Sequence, residues 1–124
     1  MKYDGGSWQK LGDIGGKDNT YHINLKVNSK GEPVVAYIDN FKKIKVKIYR
    51  DGAWKEYGAI GARPYTGQVS PGETVRSYSL DDLHMDLDEN DVPFVIYTQR
   101  VGVLAGNVLG SKYMIHGYKF TGEL

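Results

Sequence analysis

"INLKVNSKGEPVVAYID" (Ile23–Asp39) aligns without a gap on "LHMDLDENDVPFVIYTQ" (Leu83–Gln99), 60 residues downstream. Apolar positions correspond throughout: Ile23 with Leu83, Leu25 with Met85, Val27 with Leu87, and Val35 with Val95. Pro33 meets Pro93, and Tyr37 meets Tyr97. A second line repeats as well. "SWQKLGDIGG" (Ser7–Gly16) returns as "AWKEYGAIGA" (Ala53–Ala62), with Trp8 on Trp54 and Gly12 on Gly58. Two lines recurring in the same order make the chain an internal duplication within one domain, residues 1–124. Repeat one covers about residues 7–52 and repeat two about 53–122.

Each repeated segment reads as a strand for local reasons. Ile23, Leu25 and Val27 alternate with His22, Asn24 and Lys26, the two-residue period of a half-buried strand. "NSKGEP" then turns the chain, because Gly accepts positive φ and Pro sits only at the start of the strand that follows. "PVVAYI" and "PFVIY" are apolar on both faces, as suits an antiparallel strand whose sheet is covered on each side. "IKVKIY" (Ile44–Tyr49) alternates again, and "RDG" closes a hairpin into the Trp strand. No long stripe of helical period occurs. The chain is therefore expected to be all-β, with helix content near zero.

Repeats of roughly 40–50 residues built from strands point to blades of a β-propeller. The expected plan is two four-stranded antiparallel blades. The first has strands at 21–28, 33–39, 44–50 and 53–58, and the second at 79–87, 92–98 and 112–120. The second blade lacks its own Trp line, whereas a spare one at Trp8–Leu11 precedes the first blade. Ser7–Gly12 is accordingly expected to complete a second-blade sheet, in a neighbouring chain or, as the alternative, in its own. Two blades do not close a ring. The chain is either part of a longer propeller or a homo-oligomer, with three chains (six blades) preferred over two.

The lines "W-x-x-x-G-x-I-G", "L-x-V-x-x-x-G-x-P-V-V-A-Y-x-D" and "V-K-I-Y-R-D-G-A-W" resemble a bacterial repeat family. Its blades carry a "PYVAY-D" core strand and a "W-x-x-V-G" outer strand. The resemblance spans Ser7 to Gly122 and is weaker in the second copy, where Gln99 stands for Asp39 and Asp91 for Gly31. It implies a propeller in a secreted or surface protein, and no catalytic residues. The plan is also similar to that of small fungal and bacterial lectins whose two-blade chains trimerise into sugar-binding rings. They share no sugar-site motif with this chain, and a fold does not fix a function.

Composition narrows the function further. A net charge of +1 gives no electrostatic pull toward nucleic acid or an anionic membrane. No cysteine is present, so there is no disulfide frame, thiolate metal site or cysteine nucleophile. No apolar run reaches the roughly 18 residues of a membrane span, and "MKYDGGSW" lacks a signal-peptide core. Neither nucleic acid nor membrane insertion is expected.

Two segments exceed the repeat: "ARPYTGQVSPGETVRSY" (Ala62–Tyr78) and "RVGVLAGNVLG" (Arg100–Gly110). In an up-and-down sheet both connections emerge on one face of the disc. Arg63, Tyr65, Arg76, Tyr78, Arg100 and Asn107 in these insertions are the candidate ligand-binding residues, since aromatic and Arg side chains on a loop-rich face are usual anchors. The plainer alternative is that insertions drift and the arginines only keep them soluble.

Other chemistry is thin. "DLDEND" (Asp86–Asp91) imitates a calcium loop, but it lacks the central Gly, and Tyr97 stands where the bidentate Glu belongs. It reads as a turn. His22, His84 and His116 lack zinc-site spacing. Asp82, His84 and Asp86 share one strand face, without a nucleophile elbow or paired glutamates. Trp8 and Trp54 are read as core positions ahead of sugar platforms. No cofactor or metal is expected. The sequence favours a non-catalytic module that binds glycan or protein, with a structural assembly subunit as the alternative and a glycan-active enzyme a distant third.

Overall fold

A computed structural model describes residues 2–15, 20–62 and 72–122, with residues 2–4 and Arg76 described through their backbones alone. All regular structure among them is strand, and every pairing is antiparallel. β1 (Lys2–Asp4) and β2 (Ser7–Gln9) form a hairpin. β3 (Thr20–Val27), β4 (Pro33–Asp39), β5 (Lys43–Arg50) and β6 (Ala53–Gly61) follow in order across a four-stranded first sheet. β7 (Glu73–Leu87), β8 (Pro93–Ala105) and β9 (Val108–Lys119) form a three-stranded second sheet. Among the described residues the second sheet has no fourth strand to match β6 of the first.

The two β3–β4 and β7–β8 turns are built alike because the repeat places an Asx side chain at the same point. Asn28 Oδ1 accepts from the amides of Lys30 and Glu32 at 3.0 and 2.9 Å. Asp88 Oδ1 accepts from Asn90 and Val92, the equivalent amides, at 2.8 and 2.9 Å. Both turns need one residue with positive φ. Gly31 supplies it in the first (79°) and Asp91 in the second (63°). The exchange of glycine for aspartate has a structural consequence. The Asp91 carboxylate accepts from both the amide and the hydroxyl of Ser29, tying one turn to the other.

The sheets pack face to face. Val34, Ala36 and Ile38 of β4 and Ile44, Val46 and Ile48 of β5 meet Leu83 and Met85 of β7 and Val95 and Tyr97 of β8 in one buried cluster. Their spacing by two residues puts each row on one side of its sheet. β3 and β7, the edge strands that meet between the sheets, are joined by polar contacts. Tyr21 Oη donates to the Leu80 carbonyl (2.9 Å), and Asn24 Nδ2 donates to that of Leu83 (2.8 Å).

On the far side of the first sheet, Val35 and Tyr37 are also buried. Residues 12–15 cross that face, and Lys47 Nζ donates to the Ile14 carbonyl at 2.5 Å. A groove between this segment and the sheet is lined by Ile14, Gly15, Ile23, Val35 and Tyr37.

Two expectations change. Trp54 is half-buried on β6, edge-on to Tyr49 with ring centroids 5.3 Å apart. Trp8 instead lies in the β1–β2 hairpin opposite Tyr3 and is 66% exposed. Gly5 and Gly6, both at positive φ, fold β2 back on β1. The second sheet is also longer than the expected 79–87, 92–98 and 112–120. Residues 100–110 are not a loop. β8 and β9 run on through them to a tight turn at Gly106–Asn107, with Val101 and Val103 keeping the inward alternation.

Glu32 links the first turn to β5. Arg50 donates to it from Nε and Nη2 at 2.7 and 2.9 Å, and Asn28 Nδ2 donates at 2.9 Å. These bonds favour the carboxylate and bring its pKa from 4.5 down to about 2. Asp88, held by Lys119 and the turn amides, and Asp91, held by Ser29, are lowered too. A pKa depressed on folding contributes stability above the unfolded value, and that contribution is lost as pH falls through the folded value. The melting temperature should therefore fall as pH drops from about 4.5 toward about 2. Glu32→Gln should flatten that slope in circular-dichroism melts; an unchanged slope would exclude Glu32 as a contributor.

Candidate functional site

The part of the molecule that the repeat does not require is the distal half of the second sheet. β7, β8 and β9 have 15, 13 and 12 residues, against 8, 7 and 8 for β3, β4 and β5. None of the residues in the surplus rows belongs to the cluster between the sheets. The register pairs Ser79, Arg100 and Tyr113 in one row, and Thr74, Leu104 and Leu109 in another. Both rows fall on the face turned away from the first sheet, because Gln99, Val101 and Val103 between them are buried on the other side. Arg100 Nε donates to Ser111 Oγ (3.0 Å), which steadies the guanidinium beside Tyr113. Tyr113 and Leu109 are among the most exposed large side chains of the described residues.

The six candidates from the sequence do not converge. Arg63 and Tyr65 lie outside the described residues, and so does the Arg76 side chain. Tyr78 pairs with Val101 on the inward face, where its carbonyl accepts from Lys42 Nζ at 2.7 Å. Arg100 is on the opposite face, and Asn107 is at the turn. Tyr113 and Leu109 were not candidates. Tyr113 lies two residues past the segment read as an insertion, and only the β8–β9 register brings it beside Arg100.

A bulge between Asp81 and Leu83 on β7 decides the second cluster. Asp82 takes positive φ there (42°), as His22 does at the equivalent bulge on β3 (55°). Asp82, His84 and Asp86 therefore do not share one face in register. His84 and Asp86 pair with Ile96 and Phe94 on the outer side, whereas Asp81 meets His22 at 3.0 Å. His22, Asp81 and Asp82 place one donor atom each within 4.8 Å of one another. The His22 Nε2 atom is already engaged by Asp81, so this trio acts first as a contact between β3 and β7. In the "DLDEND" segment the Asp88 carboxylate is taken up by turn amides and by Lys119 at 2.8 Å. That is the chemistry of a turn.

No protein-family model, no curated protein and no solved structure matches this chain.

Proposed function

We propose that the chain is a non-catalytic binding module of β-propeller type, whose packed blades form a scaffold and whose overgrown second sheet recognises a glycan or protein ligand. The observation that carries this reading is the unequal length of the two sheets. The cluster between the sheets is built from rows shared by both repeats, so the outward side of the additional rows of β7–β9 has another use. They present Arg100 and Tyr113 side by side on regular strands, and these residue types dominate recognition surfaces. A site on strands is also held more rigidly than one on loops.

The test applies the full chain to a glycan array beside its Arg100→Ala and Tyr113→Ser variants. Each variant should lose at least about tenfold in affinity for whichever glycan binds, equivalent to about 1.4 kcal/mol. A glycan bound equally by all three proteins would remove these rows from the site. The second reading, a structural subunit of a ring or array, is favoured by a separate observation: both sheets expose apolar side chains on their outer faces, Ile23, Leu25 and Val27 on the first and Phe94, Ile96 and Ile115 on the second.

A further inference from the structure

Ile23, Leu25 and Val27 on β3 are 68%, 61% and 61% exposed. Their equivalents 60 residues on, Leu83, Met85 and Leu87, face the first sheet, where Leu83 and Met85 are buried and Leu87 packs against the core. The reverse holds on the other side of each sheet. Val34 and Ala36 are fully buried against the second sheet, whereas their equivalents Phe94 and Ile96 are 36% and 50% exposed. Ile44 on β5 is buried, and Ile115, which the ladders place at the same point of β9, is exposed. Each uncovered face is therefore the repeat copy of a face that is covered within the chain. The contact between the two sheets supplies its own template for the next contact.

We propose that a second copy of this chain docks head to tail, its first sheet's outer face (Ile23, Leu25, Val27) covering the outer face of the second sheet (Phe94, Ile96, Ile115). The contact is heterologous, and where its rotation closes, successive copies form a ring, for which three chains of two sheets each is the expected number. An inner-strand contact accompanies it. Asn24 donates to the Leu83 carbonyl within one chain, and the equivalent His84 is placed to donate to the Ile23 carbonyl of the next.

Among the described residues β9 is the edge strand of the second sheet, and that edge has a matching occupant. In the first sheet β6 pairs with β5 as Trp54 to Tyr49, Gly58 to Val46 and Ile60 to Ile44. Moving back 46 residues gives Trp8, Gly12 and Ile14, and the corresponding third-strand positions are Phe120, Gly117 and Ile115. Gly58 and Gly12 both have positive φ (131° and 90°), so the bulge that Gly58 makes against β5 is already shaped in the opening segment. In the ring, residues 7–14 leave the β1–β2 hairpin and the outer face of the first sheet, where Lys47 holds the Ile14 carbonyl. Their departure clears that face for docking, and they extend the second sheet of the neighbouring copy. This satisfies an edge that proteins seldom leave open beside apolar surface.

The proposal rests on the blade reading above but not on its ligand, since a monomer can bind a glycan and a ring can form without one. The experiment is the solution mass of the full chain and two variants, by sedimentation velocity. Wild type should form a discrete oligomer, whereas Leu25→Arg and Ile96→Arg should each be monomeric with unchanged circular dichroism, because both sites are exposed in the single chain. Mixed at high concentration, the two variants should form a 1:1 dimer that grows no further, since each keeps the face the other has lost. A monomeric wild type, an oligomer that survives either substitution, or a mixture that stays monomeric would overturn the proposal. Val27→Arg with Ile115→Arg is the replacement pair should either first variant misfold.

Discussion

Tyr97→Ala is expected to lower the unfolding free energy by about 3–5 kcal/mol, the range for emptying a buried aromatic position. Tyr97 is 1% exposed and sits between the two sheets, stacked on Tyr118 at 6.1 Å between centroids and tilted against His116 at 5.5 Å. Both walls of the space it fills are hydrogen-bonded sheets, which cannot move together to close a cavity. Domains of this size have roughly 5–15 kcal/mol in all, so the variant should lose a large share of its stability. Urea unfolding reads this as a lower midpoint at unchanged slope. Tyr37, at the same point of the first repeat, provides the control. It is as well buried, but among the described residues its cover is the segment 12–15, held by the Lys47–Ile14 hydrogen bond, and Lys47 itself over the ring. That segment can settle into vacated space, so Tyr37→Ala should cost clearly less. Equal losses would mean that the two covers are equally rigid.

That contrast also marks how far the sequence could be read. The rows Ile23–Val27 and Leu83–Leu87 were legible because alternation within a strand and correspondence between repeats gave the same pairing. The turn at Asp88 was legible because an Asx side chain followed by a Pro at the strand start has a local cause. The β8–β9 extension was not. Gly102 and Gly110 interrupt the apolar period, so residues 100–110 resemble an inserted loop, and only the ladder makes them strand. The position of Asp81 was hidden for another reason: a one-residue bulge at Asp82 shifts the facing of its neighbours, and alternation alone puts Asp82, not Asp81, with His84. Asp91 looked like an imperfect copy of Gly31, yet it keeps the backbone conformation and adds the contact to Ser29. Of the candidate site, Arg100 was found from the sequence, and its neighbour Tyr113 required the register.

Trp54→Ala and Trp8→Ala should behave differently, although the repeat writes the two residues at the same position. Trp54 packs on Tyr49 within its own sheet, so its loss should lower the melting temperature at every protein concentration. Trp8 is largely exposed in the single chain, and its removal should leave a dilute sample's melting temperature unchanged. In the proposed ring it would lie opposite Phe120 of the neighbouring copy, repeating across a subunit boundary the Trp54–Tyr49 pairing of the first sheet. Truncating a central interface tryptophan costs about 2 kcal/mol or more, or about 30-fold in affinity. Sedimentation over a range of concentrations should therefore show the Trp8→Ala oligomer dissociating at about 30-fold higher concentration than wild type. A variant that assembles as wild type does would leave β2 in its hairpin with β1 and the edge of β9 to another strand. Loss of stability in dilute Trp8→Ala would instead tie Trp8 to the fold of its own chain. The discriminating quantity is the concentration dependence, because a contact within one chain is blind to concentration and a contact between copies is not.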